Sequence, residues 1–313
     1  MKHQPNYRLI AGWIAVSFST IITCVWAFWG TIENFHEGWY YDSLLSNMGL
    51  MFVQYLSPML IFMGLTLISI LWPRFGGSLH LIFALLAVWF FQALSNAATF
   101  LLILPLVGLG ALYWYGRPQP RKLALSLAIG LPMLTLIISG IEPALRVSRR
   151  IDDGDLQARL VHGKGVDLIW APDGPGWPRA GANWNEAQQV CQPLSEDGLS
   201  ITPALQNMWR LPAVDEAVRS MALHGQNSGG VWDAENAKAN YETTPDKESP
   251  LWNVHSQVIY WWTATEVDEG HAYITVYDGK VWPRAKDLNL GYLGYRCVKP
   301  PEQVNDQFFK GKT

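Results

Sequence analysis

The sequence predicts a chain in two parts: an α-helical transmembrane bundle of about five spans, then an α+β domain on the outer side of the membrane. Three observations carry this. Residues 1–142 hold long apolar runs nearly free of charge, whereas the chain from 143 onward has the mixed, Trp-, Gly- and Pro-rich composition of a soluble domain. Lys and Arg gather in the segments that a cytoplasmic N-terminus would leave inside. Helical and strand patterns then follow one another through the second half. The overall figures for the 313 residues, 50% hydrophobic and 16% charged, therefore average two unlike halves.

The first apolar run, 9–29, is as long as a bilayer-crossing helix needs. It lacks the small-residue cleavage pattern of a secretory signal and reads as retained. Cys24 within it reads as a small embedded side chain. The second run, 49–72, is interrupted only by Gln54 and ends before Pro73 and Arg74. At ~1.5 Å per residue, 79–115 is too long for one span. Gln92, Ser95 and Asn96 mark its middle, so it divides into 79–94 and 97–115, a tight helical hairpin. The last run, 123–141, tolerates Gly130 and Pro132 as membrane helices do.

Lys2, Arg8, Arg74, Arg117, Arg121 and Lys122 fall inside if the N-terminus is cytoplasmic, and the loop 31–47 carries Glu33, Glu37 and Asp42 but no Lys or Arg. An odd number of spans then puts the second domain outside the cell membrane, against the opposing weight of Arg146, Arg149 and Arg150. If 79–115 were a single span, the domain would be cytoplasmic. The spans are read as free of ionisable groups, which argues against a pump or an ion-coupled transporter. In the outer loop, Trp39, Tyr40 and Tyr41 read as an interfacial belt beside solvated His36, Glu37 and Asp42.

Residues 143–165 read as a solvated juxtamembrane linker. Asp152, Asp153 and Asp155 lack the ligand spacing and terminal Glu of an EF-hand. The domain proper is expected over 166–300, followed by a polar tail, 301–313. Its entry strand leads to a helix capped by Asn183 and Glu186, with Trp184, Ala187, Val190 and Cys191 on one face. Trp209, Arg210, Leu211 and Pro212 precede a second helix with Asp215 and Glu216 in its first turn. Its apolar stripe is Val214, Ala217, Val218 and Met221. Residues 225–253 are turn-rich and expected to be irregular. Strand patterns return over 257–266 and on either side of Asp278 and Gly279, the dipeptide of a two-residue type I′ hairpin. A strand over 291–299 closes the domain.

This order resembles the C-type-lectin-like superfold in bacterial domains distantly similar to formylglycine-generating (sulfatase-modifying) proteins, and within it the Lcl C-terminal-type domain. The resemblance rests on Trp184, Ala187 and Cys191; on Trp209, Arg210, Leu211, Pro212 and Glu216; on the strand Tyr260–Glu266, with Trp261; and on Gly294, Arg296, Cys297 and Val298. It covers about 166–300 and leaves the membrane half unassigned. It implies a disulfide between Cys191 and Cys297, with two buried free thiols as the alternative. Closing a loop of about 105 residues would be worth roughly 4–5 kcal/mol in chain entropy. It would also require an oxidising compartment, the side that the charge pattern gives. The superfold carries binding proteins and enzymes alike, so the activity must be read from the residues.

The EPN- or QPD-type loop and the WND motif of calcium-dependent lectins are missing; the nearest strings, Trp232-Asp233 and Trp252-Asn253, are incomplete. His162, His224, His255 and His271 show no zinc spacing. Glu266, Asp268 and Glu269 could in principle serve acid–base chemistry but read as a solvated loop. Trp177, Trp232, Trp252, Trp261, Trp262 and Trp282 are the strongest remaining signal, most of them core and some candidates for recognition. A net charge of −3 without a basic stripe points away from nucleic acid. The expected function is non-catalytic recognition of a glycan or protein, with membrane lipid as the other partner and no metal or cofactor. The expected surface is Trp232, Asp233, Tyr241, Trp252 and Asn253 on the 225–253 segment. The alternative is a membrane-bound enzyme of the formylglycine-generating type, which would need reactive cysteines in a cleft.

Overall fold

The computed structural model describes residues 6–91 and 99–301. The expected break at Gln92, Ser95 and Asn96 and all but the first residue of the polar tail lie outside these. The chain forms two compact units, Met1–Val147 and Ser148–Thr313.

The first unit is helical: α1 (Tyr7–Glu33, continued by a π-turn over Asn34–Gly38), α2 (Leu44–Leu50), α3 (Ser57–Leu71), α4 (Pro73–Phe90), α5 (Leu104–Tyr115) and α6 (Arg121–Ser148). Tyr7–Gly38, Pro73–Phe90 and Arg121–Ser148 are each long and apolar enough to cross a membrane. Leu44–Tyr55 and Ser57–Leu71 make a fourth if taken together, and Leu101–Tyr115 is shorter. The expected straight span over 49–72 is thus broken, with a bend of 64°. Pro58 sits in the first turn of α3, where its missing N–H ends the preceding ladder and starts a new helix.

This unit is inside-out by the standards of a water-soluble protein. On α1, Ile10, Ile14, Phe18, Ile21, Val25 and Phe28 face outward, while Ser19, Thr20, Thr23 and Thr31 are buried. The hydroxyls of Thr23, Thr31, Thr66 and Ser69 donate to carbonyls four residues back at 2.7 Å. Small residues let backbones meet: a Cβ on Gly30 would lie 2.3 Å from the Tyr55 carbonyl oxygen, and one on Gly77 2.8 Å from that of Gly110. Close backbone contact and buried hydroxyls hold helices together where lipid removes any hydrophobic difference between inside and outside.

One expectation here is overturned. His80 belongs to the third apolar run and is an ionisable group fully buried in α4. Its Nδ1–H donates to the Gly76 carbonyl at 2.9 Å, and its ring lies 5.5 Å from that of Tyr113, whose hydroxyl meets Ser19 Oγ at 2.8 Å. The Gly76 carbonyl thus gives one ring nitrogen of this buried group a partner within a single turn of its own helix.

The second unit is an α+β fold. β1 (Arg159–Gly163) and β2 (Val166–Trp170) form a hairpin, and β11 (Val298–Lys299) pairs with β2 to complete a three-stranded antiparallel sheet. α7 (Trp184–Cys191) opens on a full capping box, with Asn183 Oδ1 accepting from Glu186 N–H and Glu186 accepting from Asn183 N–H. α8 (Val214–Ser220) begins after Pro212 and buries Val214, Ala217 and Val218. Two small hairpins follow, β3 (Ala222–Leu223) with β4 (Gln226–Asn227) and β5 (Val231–Asp233) with β6 (Lys238–Asn240). β7 (Tyr260–Glu266), β8 (His271–Val276), β9 (Val281–Ala285) and β10 (Leu293–Gly294) form a four-stranded sheet ordered β10-β7-β8-β9, with β10 parallel to β7.

Trp261 lies at the centre of the core. Trp252 stacks on it at 3.5 Å between centroids, Trp170 lies at 5.3 Å, and Trp177 meets it edge-on at 6.5 Å. Arg296 is fully buried beneath Trp177, 3.6 Å from its centroid, and donates to the carbonyls of Ala171 and Leu251. Arg210 and Glu216 are paired at 2.6 Å, tying the segment before α8 to its first turn. Gly294 packs where a Cβ would meet Val258 at 3.0 Å. Cys191 and Cys297 are joined, linking α7 to the segment that leads into β11.

Three further expectations are corrected. The turn between Val276 and Lys280, which are hydrogen-bonded to each other, has three residues rather than two, because the Tyr277 ring turns into the core and of the three only Gly279 takes a positive φ, 84°. Gly279 N–H donates to the Val276 carbonyl and Val276 N–H to that of Lys280, a type I turn closed by a left-handed glycine. Second, 225–253 is partly regular, holding β4, the β5–β6 hairpin and a buried stretch at Asp246, Lys247, Glu248 and Ser249. Third, the expected linker is not a free connector: it starts as the end of α6, ends in β1, and between them forms a strap fastened to the domain. Arg150 pairs with Asp246 at 2.8 Å, Ile151 N–H donates to Glu248 at 2.9 Å, and Ser249 Oγ donates to Asp153 at 2.9 Å.

Candidate functional site: the hairpin face of the sheet unit

The five residues expected to form a recognition surface separate on folding. Trp232, on β5, is half-buried and stands edge-to-face on Tyr273 of β8, 5.2 Å between centroids. Val231 beside it is exposed. Asp233 closes the hairpin instead of reaching outward. Its carboxylate accepts from the backbone N–H groups of Glu235 and Asn236 at 3.1 Å and from Asn236 Nδ2 at 2.8 Å. These bonds, the Asn236 side chain first, hold its pKa below the usual carboxylate value. Asn253 likewise makes a turn, accepting from His255 N–H at 2.8 Å.

Tyr241 and Trp252 belong to the interior. The Tyr241 ring is gripped between two glycines: a Cβ on Gly230 would lie 2.7 Å from it and one on Gly279 2.5 Å. Burial, then the Asp278 charge, pushes its phenol pKa up. Trp252 is 3% exposed and stacked on Trp261, so its expected place on the surface is corrected. An indole that can cover another indole face in the core removes more apolar area from water than one left outside.

What remains is a compact surface: Val231 and Trp232 on β5, Asn240 at the end of β6, and the exposed Lys164–Glu242 pair at 2.9 Å. Its base is rigid because Tyr241 sits in its glycine clamp and Glu242 N–H donates to the Ser228 carbonyl. Trp supplies a large, stiff contact area at low entropic cost, the property that makes it frequent at binding hot spots. Tyr273, on which Trp232 leans, carried no separate sequence signal, since its strand reads only as an alternating pattern.

The buried charges behind this face were also missed. Lys247 is 2% exposed, donates to the Ser256 carbonyl, and lies among Arg150, Asp246 and Glu248. Burial first, then the Arg150 charge, pushes its amine pKa down to about 7, with Asp246 opposing. Glu248 is enclosed, accepts from His224 N–H and from Ile151 N–H, and has His224 Nδ1 at 3.4 Å. In sequence these residues look like a solvated charge run; only their partners make burial possible.

Among the described residues no group of three or more His, Cys, Asp or Glu side chains could hold a metal ion. Both cysteines of the sheet unit are consumed by the bridge, and the free one among the described residues is Cys24 on α1. Glu266 pairs with Lys286, and Asp268 meets His271 at 2.9 Å, both near the surface. Comparison of the chain with protein-family models, curated proteins and solved structures finds no match.

Proposed function

We propose that this chain is a membrane-anchored recognition protein, its sheet unit a C-type-lectin-like domain displayed on the outer side of a bacterial cell membrane. In this reading the bent pair and Leu101–Tyr115 each count as a crossing, giving five. The placement of Lys and Arg supports that side, and so does the cysteine bridge, which persists in oxidising compartments. The domain binds a glycan or a protein through the Trp232 hairpin and performs no chemistry of its own.

The observation that carries the proposal is Trp232: a half-buried indole with an exposed Val231 beside it, on a hairpin whose base is buried. Full-length protein in nanodiscs, screened on glycan and protein arrays, is expected to select a ligand that Trp232→Ala loses by about 1–2 kcal/mol or more. The melting transition of the sheet unit should stay within about 0.5 kcal/mol of the parent. A blank screen, or a ligand whose affinity ignores Trp232, overturns this reading.

A further inference from the structure

The loop 195–207, between α7 and α8, exposes three large aliphatic side chains: Leu199 at 54%, Ile201 at 55% and Leu205 at 63%. Its backbone is nonetheless tied down. Ser195 Oγ donates to Asp197 and accepts from Ser200 N–H, Leu199 N–H donates to Asp197, and Thr202 N–H and Oγ1 both donate to the Pro193 carbonyl. Gln206 and Asn207 N–H groups share the Gln192 carbonyl, and Ile201 bridges to Leu194. A flexible loop could fold aliphatic side chains back onto the domain. This one holds them in water, at a cost that calls for a covering surface.

Its place in the domain says which surface. Gly198 abuts Pro172, where a Cβ would lie 2.8 Å from the proline ring, and the next residue, Asp173, donates its N–H to the Leu156 carbonyl at 2.9 Å. Leu156 ends the strap that begins at Arg150, two residues after the apolar helix α6 (Arg121–Ser148). The exposed aliphatics therefore lie beside the end of the strap, eight residues along the chain from a candidate span. So short a tether keeps a bilayer at high effective concentration whichever side the domain occupies.

We propose that Leu199, Ile201 and Leu205 form a bilayer-docking loop that inserts into the interfacial region of the membrane to which the chain is anchored. Glu196 and Asp197 on the same loop disfavour strongly anionic lipid, so the docking is hydrophobic. It fixes how the sheet unit is presented and does not depend on the ligand of the Trp232 hairpin.

The test uses full-length protein with Cys24→Ala, one copy per nanodisc, in phosphatidylcholine. Single cysteines at Leu199, Ile201 or Leu205 carry an environment-sensitive dye, and Glu235→Cys on the β5–β6 turn is the reference. Ala204→Cys on the same loop serves where an aliphatic replacement lowers the melting temperature. Loop labels are expected to be blue-shifted and several-fold more quenched by nitroxide-bearing phosphatidylcholine than the Glu235 label, and correspondingly less by iodide. Equal iodide quenching at all positions overturns the proposal. Protection from both quenchers, or protection seen only in crowded proteoliposomes, points to a protein cover or a second copy and overturns it equally.

Discussion

Two tryptophans of the same segment, twenty residues apart, have opposite meanings. Trp252 fills the face of Trp261, so Trp252→Ala should cost about 3–5 kcal/mol, read by urea denaturation followed in the near-ultraviolet. Trp232 lies at the hairpin surface against the edge of Tyr273, and its loss should leave that transition nearly in place. Lys247 gives a pH signature. Its folded-state pKa of about 7 lies below the ordinary 10.5, so the folded domain binds fewer protons than the unfolded chain between those values. Stability should therefore rise as pH increases from about 7 towards 10.5, the penalty being full below that window and gone above it. Lys247→Met should flatten this rise and leave the domain more stable at pH 7, as denaturation midpoints across the range would show.

At the scale of elements, the strap and the bridge do what strand pairing alone does not. Arg150 and Asp246 bury their side chains to 5% and 3% exposure, and Arg150 also lies over the Tyr277 ring at 5.4 Å. Asp246→Ala leaves a guanidinium buried without its carboxylate and should destabilise the sheet unit by about 3–5 kcal/mol. Pairing it with Arg150→Met should recover part of the loss, and a double-mutant cycle would measure how much. The Cys191–Cys297 bridge spans a separation of 106 residues, closing a fold whose outer strands β10 and β11 pair over only two residues each. Replacing both cysteines by serine should remove about 4–5 kcal/mol in the chain-entropy limit, seen as a lower urea midpoint that reductant no longer shifts.

For the whole molecule, the helical unit presents aliphatic stripes outward and hydroxyls inward, and the sheet unit does the reverse, with an indole core and ion pairs at its surface. Each unit is folded for a different solvent. In the proposed reading, sidedness follows from the number of crossings: five put the sheet unit opposite the N-terminus, four would put it on the same side. A cysteine at Glu235, with Cys24→Ala, should react with a membrane-impermeant maleimide on intact cells. Labelling only after lysis would place the sheet unit inside the cell and overturn five crossings from a cytoplasmic N-terminus.

Much of this was legible before folding. Apolar length marked the helical half, the Asn183–Glu186 capping box set the start of α7, and the spacing of Trp184, Ala187 and Cys191 marked its buried side. These are local features, determined by side chains a few residues apart. The bend before Pro58, the inward turn of Tyr277 and the strap at Arg150 were not legible, because each depends on a partner distant in sequence or on packing around it. The same holds for the site. The sequence marked Trp232 and Trp252 as equals, since composition cannot say which indole finds another to cover. The sequence by itself thus determined two halves suited to two solvents and most of their elements. Only the tertiary structure decided which aromatic and charged groups are enclosed, because burial of such groups is favourable only where a ring face, a carbonyl or an opposite charge from elsewhere in the chain is in place to meet them.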